Sequence, residues 1–273
     1  MDGRDFRSAR ARHQNGVDRA CVRMALEAMR SAGIVWYRDG GDPYGVSLCA
    51  RELAGEYGIT VSTPAFAIHK KGHYGSIVGR AYETTDDYRR LLEQIARSKG
   101  NFVKLMLSGI LTFQKPGELS EPCLEEEEIH TLISLAHEAG FAVMAHVNGD
   151  AAVRAAVEAG ADSVEHGCFL SEDTLREMAA SHTIWVPTLA ALEAFVGREG
   201  YPAEVTGEIL HRQQEDLRFF AALNGTVACG SDAGAVGVPH GAGTQREKAL
   251  LLASGVTEEE IERGSLAVYQ RFA

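Results

Sequence analysis

FAVMAHVNGDAAVRAAVEAGADSVEHG, residues 141–167, holds a strand, a helix and a second strand in one short stretch. FAVMAHV is short, apolar and β-branched, the composition of a strand covered on both faces. DAAVRAAVEAG carries its apolar residues at helical spacing. SVEHG opens the next strand. Strand–helix–strand units this compact imply parallel pairing through a right-handed crossover. The two strands end near His146 and His166, so both imidazoles are expected on neighbouring staves, facing one rim of a parallel sheet.

The same alternation extends outward from about residue 17. Val17 to Ala32 reads as a helix stopped by Gly33, followed by the strand IVWYRD and the turn-rich GGDPYG. SLCARELAGEYG reads as a helix, TVSTPAFAI as one strand, and HKKGHYGSIVG as a loop. TTDDYRRLLEQIARSKG is a helix capped by Thr84 or Thr85, with acidic residues in its first turn. The strand FVKLMLSG and the helix CLEEEEIHTLISLAHEAG lead into the central unit. Beyond it come the helix SEDTLREMAASH, the strand TIWVPTL, a long helical stretch to about Leu223 and the strand TVACGSDAG. Two final helices follow, the second with Thr257 and Glu260 at capping-box spacing. Seven strands are expected, near Ile34, Val61, Val103, Val143, Ser163, Trp185 and Val227. Seven βα units in 273 residues read as a TIM (β/α)₈-type barrel short of one unit, filling residues 1–273 as a single domain. An open doubly wound sheet is the structural alternative.

Composition narrows the function. Hydrophobic residues make up 45% and charged residues 24%, the balance of a soluble protein with a sizeable core. A net charge of −11 argues against nucleic acid and against an anionic membrane surface as partners. No apolar run approaches a membrane span. Five isolated cysteines, none in a CxxC pair, read as reduced thiols in a cytoplasmic protein. MDGRDFRSARARHQNG lacks the apolar segment of a secretory signal and reads as a polar loop running into a helix.

Several strands end in an ionisable residue: Lys104 within FVKLMLSG, His146 in FAVMAHV, His166 in SVEHG and Asp232 in TVACGSDAG. A lysine inside an apolar strand is costly unless paired or modified. One histidine or aspartate at a strand end is ordinarily a hydrogen-bonded structural residue. Four such residues at strand ends, in the order Lys, His, His, Asp, point instead to a site. Imidazole and carboxylate together suit Zn²⁺ and similar first-row ions.

That order resembles the amidohydrolase superfamily, and the wording resembles its imidazolonepropionase-like and prolidase-like branch. YRDGG at Tyr37–Gly41 resembles the text after strand two. FVKLMLSG resembles the segment with a carboxylated lysine, VMAHV and SVEHG the strand-five and strand-six histidine segments, and CGSDAGAVGVPHGAGT the strand-eight aspartate with its following loop. The resemblance implies that Lys104 is carbamylated and bridges two divalent metals. It implies that His146 and His166 hold the second metal, and that Asp232 holds the first and takes a proton from the attacking water. The expected reaction is hydrolysis of a C–N bond in a small-molecule amide, cyclic amide or dipeptide-like substrate. His240, His73, Tyr37 and Arg38 are candidates for binding that substrate.

One departure stands out. The superfamily carries an HxH pair at the end of strand one, and no HxH occurs in this sequence. The expectation is a chain that starts just after that pair, with the end of strand one near Asp2 and without the small accessory β-sandwich. The first metal then keeps Lys104 and Asp232, and the second keeps Lys104, His146 and His166. At most one filled metal site and weak hydrolysis by this chain alone are expected. Exposed sheet edges leave a homo-oligomer open. The rival readings are a non-catalytic barrel fragment binding one metal or none, and a barrel lyase or phosphotriester hydrolase with a similar site.

Overall fold

The computed structural model describes residues 6–273. Asp2, the expected end of a first strand, lies outside them. In chain order the elements are α1 (Phe6–His13), α2 (Arg19–Ser31), β1 (Trp36–Arg38), α3 (Val46–Leu53), β2 (Thr60–Ser62), β3 (Ala67–Lys70), β4 (Gly79–Tyr82), α4 (Thr85–Arg97), β5 (Val103–Met106), α5 (Glu126–Glu138), β6 (Val143–Val147), α6 (Asp150–Glu158), β7 (Ser163–His166), α7 (Glu172–Ala180), β8 (Ile184–Val186), α8 (Leu189–Glu193), α9 (Ala203–Ala222), α10 (Ala242–Ala253) and α11 (Glu258–Phe272). Every strand pairing is parallel. β1 pairs with β2, and the remaining strands run in the order β4-β3-β5-β6-β7-β8. A parallel bridge from Trp185 to Val227 adds a last stave beyond β8.

Strand alternation sorts the core into two layers. Val103, Leu105, Val143, Ala145, Val147, Val164 and Trp185 point outward into the large apolar layer under the helices. Phe102, Met144, Ile184 and Val186 point inward and meet Ala228, Val268 and Phe272. Phe272 stands edge-on to Phe102 at 5.2 Å between ring centroids. The last helix thus supplies part of the barrel floor. Gly264 makes its close approach possible, because a Cβ there would lie 1.7 Å from the carbonyl oxygen of Val227.

Four local readings are corrected. The expected single strand TVSTPAFAI is split into β2 and β3. Pro64 has no N–H to donate, Ala65 adopts φ +68°, and the Thr63 backbone pairs instead with Asn101 through both the side chain and the main chain of that residue. β4 lies at the edge of what reads as a loop, and its exposed Arg80 hides it from a pattern of buried strands. The polar N-terminal stretch is helical over Phe6–His13. TVACGSDAG keeps only the Val227 bridge. The chain then leaves the ladder, and Cys229 to Asp232 line a cavity instead. The capping boxes form at Thr84 with Asp87 and at Thr257 with Glu260.

Among the described residues β1 pairs with β2 alone. A cavity is lined by β1, by Gly230–Asp232 and by Val22, Leu26 and Met29 of α2.

Candidate functional site

The register places the candidate residues. Lys104 of β5 lies beside Met144 of β6, and Met106 lies beside His146. His146 in turn lies beside Glu165, and Val147 beside His166. Lys104, His146 and Glu165 therefore share the inward face with the apolar Met144, Ile184 and Val186. His166 comes where β7 ends. Its backbone turns to φ +70°, Asp232 sits at φ +53°, and Thr188 after β8 sits at φ +52°. Non-glycine residues in the left-handed region carry strain that the surroundings must hold, and such residues gather at functional sites.

The rings of His146 and His166 meet edge-on, 4.6 Å between centroids. Lys104 comes close to Gly40 after β1: a Cβ on Gly40 would lie 3.4 Å from Lys104 Nζ. A cavity of about 820 Å³ is lined by Lys104, His166 and Asp232, together with Tyr37, Arg38 and His240. His146 stands behind His166, with Tyr74 on its other side at 5.3 Å between centroids.

Electrostatics separates the four groups. Burial, reinforced by the charge of Lys104, pushes His146 down to about 3. Burial, then His146, then Lys104 push His166 well below the usual histidine range. Both rings are neutral at pH 7, the form that donates a lone pair to a cation. Hydrogen bonds set which nitrogen is free. The Thr188 hydroxyl lies 2.8 Å from Pro187 O and 2.7 Å from His166 Nδ1; with its proton on Pro187 O it accepts from His166 Nδ1–H, the arrangement that leaves Nε2 bare. His146 Nε2 faces Gly109 O at 3.4 Å, which leaves Nδ1 as its open lone pair. Asp232 is open to water within the cavity, yet protein surrounds it deeply enough that desolvation raises its carboxyl; Lys104 opposes that rise and Glu165 adds to it.

The other candidates fall out differently. Arg38 donates to Ser163 Oγ at 2.8 Å and to Glu165 Oε1 at 2.6 Å, while its guanidinium lies 4.3 Å from the Phe272 ring centroid. It spans the barrel interior, and two of its N–H groups are committed to protein. Tyr37 lines the cavity wall, its phenol raised by burial and by Asp39. His73 faces Glu121, 3.9 Å away, and the residue after it, Tyr74, is the one that touches His146. Sequence reading passed over Tyr74 and Asp39. Asp39 lines the cavity and is pushed up to about 6, chiefly by burial and then by Asp42, with Gly41 N–H and the Thr63 hydroxyl opposing. Its signal was an acid at a strand end in YRDGG.

Among the described residues, one trio of His, Cys, Asp or Glu side chains brings its ligand atoms within 4.8 Å of one another: Glu126, His130 and Glu158, on the exposed side of α5 and α6. His146, His166 and Asp232 form no such trio, so the rim is not a ready three-point cage for one ion.

The parallel α/β sheet with its polar rim places the chain in a known group. The family described as the amidohydrolase family matches residues 19–263, and the chain belongs to it. An uncharacterised protein of Mycobacterium tuberculosis is 33% identical over 171 residues, 62% of this chain and 43% of that protein. Ochratoxinase of Aspergillus niger is 25% identical over 155 residues, 56% of this chain and 30% of the enzyme. The chain thus spans less than half the length of these curated relatives. Among solved structures, a Xaa-Pro dipeptidase with methionine in its active site superposes with a TM-score of 0.76 at 20% identity, covering 93% of this chain and 68% of that one. The crystal structure of A. niger ochratoxinase gives 0.75 at 19% identity, covering 97% and 65%. Both likenesses establish the fold, that of the amidohydrolase barrels.

Proposed function

We propose that this chain is the barrel of a metal-dependent hydrolase that cleaves amide-type C–N bonds in small molecules such as acyl-amino acids, cyclic amides or dipeptides. The observation that carries the reading is the meeting of Lys104, His166 and Asp232 at one cavity, with His146 packed against His166. The donor set fits a first-row divalent ion such as Zn²⁺. It offers two neutral imidazoles whose free nitrogens are assigned by their hydrogen bonds, a cavity-facing carboxylate and a buried lysine. His146 and His166 would hold one ion together with Lys104, whose amine would take up CO₂ and release a proton to become a carbamate. Asp232 would hold a second position that shares Lys104. Three donors against two favour one tightly held ion. Bound there, the ion supplies Lewis acidity and lowers the pKa of a water toward about 7.

The chain's own part is proton handling and positioning. Asp232, its carboxyl raised by desolvation, suits a group that takes a proton from water as oxygen adds to the carbonyl carbon. It then delivers that proton to the departing nitrogen as the C–N bond breaks, and the second proton of the water passes from the new carboxyl group to the amine, giving a carboxylate and an ammonium. The cavity volume suits a small substrate. No described helix is long and apolar enough to cross a membrane.

The test is metal content after loading with Zn²⁺, followed by assay against N-acyl-amino acids and dipeptides. About one ion per chain is expected, lost in Lys104→Ala. Full metal content in Lys104→Ala overturns the lysine's role. The two-donor set at Asp232 favours one rival, a barrel that binds an ion without turnover. Stoichiometric zinc with no hydrolysis of any amide in the panel would select it.

A further inference from the structure

Thr188 follows β8, just before α8, at 3% exposure, with φ +52° and ψ +44°. A β-branched residue is a poor occupant of the left-handed region. Something must hold it there. Immediately after it, Leu189 N–H and Ala190 N–H donate to the two carboxylate oxygens of Glu247, at 3.0 and 2.6 Å. Glu247 is fully buried on α10. Among the described residues, its carboxylate has these two amides as hydrogen-bond partners and forms no salt bridge. Burying a carboxylate without a cation is costly. A five-residue helix such as α8 needs no such device merely to begin.

The geometry points to a positioning relay for His166. Glu247 fixes the backbone at 189–190 and so pins Thr188 in its strained turn. With its own proton on Pro187 O, 2.8 Å away, the pinned Thr188 hydroxyl accepts from His166 Nδ1 at 2.7 Å. It thereby holds the ring as the Nδ1–H tautomer, with Nε2 toward the cavity that Lys104 lines. The His166 backbone is secured separately. Its carbonyl accepts from Trp185 Nε1 at 2.9 Å and from Gln213 Nε2 at 2.6 Å, and these keep the turn at φ +70° whatever happens at the ring. Thr188 and Glu247 therefore act on the ring's tautomer and direction, as positioning residues. That the bare Nε2 then meets an ion rests on the function proposed above; the tautomer itself does not.

The experiment uses the full chain with ¹⁵N-labelled histidine and no metal. Long-range ¹H–¹⁵N spectra at pH 7.5 report which ring nitrogen of His166 carries the proton. A parallel titration with Zn²⁺ alone, against a competing chelator, reports affinity. Wild type is expected to show Nδ1–H. Thr188→Val, which keeps the shape and removes the acceptor, is expected to shift His166 toward Nε2–H and to weaken zinc by about 10- to 100-fold. Thr188→Ser is expected to restore both. Glu247→Gln offers one acceptor where two are needed and is expected to move the tautomer part of the way. Should Thr188→Val not fold, Glu247→Gln carries the same comparison. An unchanged His166 tautomer in the folded variants overturns the relay. A shifted tautomer in a protein that binds no zinc upholds the relay and removes the metal reading instead.

Discussion

Two groups of side chains share the inward face of the same strands and obey opposite rules. The floor group, Phe102, Met144, Ile184 and Val186, is apolar and closes against Val268 and Phe272. The rim group, Lys104, His146 and Glu165, is polar and continues into His166 and Asp232, where the backbone enters the left-handed region. In the floor, shape and volume decide, and many apolar sets would serve. In the rim, each group is fixed by a particular partner: Gly109 and Tyr74 for His146, Thr188 for His166, Arg38 for Glu165. On the proposed function, stability and chemistry would occupy two levels of one scaffold, and substitutions at the two levels should separate them.

The largest separation is expected at the rim. Lys104→Ala and His166→Ala should each abolish stoichiometric zinc and lower kcat/KM for a cleaved amide by at least about 10⁴-fold. Compared metal-free, their unfolding midpoints should stay at or above that of wild type, since each removes a buried or half-buried polar group. Metal analysis beside thermal melts checks this. A variant that loses zinc because it has unfolded would merge the two levels. At the floor the pattern inverts. Phe272→Ala should cost about 3–5 kcal/mol in urea unfolding, while zinc per folded molecule stays at the wild-type value.

The two levels were unequally legible in the sequence. β5, β6, β7 and β8 are short, apolar and buried on both faces, a pattern carried within each segment. Strand ends suggest Lys104, His146, His166 and Asp232 at one rim; Lys104, His166 and Asp232 line one cavity, and His146 packs against His166. What could not be read depends on partners distant in the chain. The break between β2 and β3 needs Asn101, thirty-eight positions from Thr63. Arg38 reads as a substrate ligand until Glu165, 127 positions on, takes its guanidinium. Thr188 and Glu247 carry no local mark, because a threonine before a helix and a glutamate within one are ordinary sequence.

Arg38 and Glu165 lie where the levels meet, which makes them a sharper probe. Their side chains are 7% and 4% exposed, so the pair is desolvated. Arg38→Met alone should destabilise by about 3 kcal/mol, because it leaves Glu165 buried and uncompensated. Arg38→Met with Glu165→Met should recover to within about 1 kcal/mol of wild type. If the double variant also keeps its zinc, the pair belongs to the floor as a strut across the barrel. If stability returns and zinc does not, the pair belongs to the rim.

The smallest effect expected is a slope rather than a loss. Burial raises Glu247 from its ordinary value of 4.5 to about 8, with Glu193 adding slightly and the two backbone amides opposing. Between those values the folded chain keeps a proton that the unfolded chain releases. The Glu247 contribution to stability should therefore fall as pH rises from about 5 to about 8, at no more than about 1.4 kcal/mol per pH unit, and level off above, while His146 and His166, neutral in the folded chain, act in the opposite sense below about 6.5. Glu247→Gln cannot ionise and should remove this contribution, so the difference between the two proteins carries it, whatever constant offset the altered hydrogen bonds add. Urea unfolding of both proteins at several pH values separates slope from offset. A difference that stays constant with pH would show that the carboxylate is already charged at pH 5, its two amide donors outweighing burial. The strained turn at Thr188 would then be held by an ionised cap throughout the range.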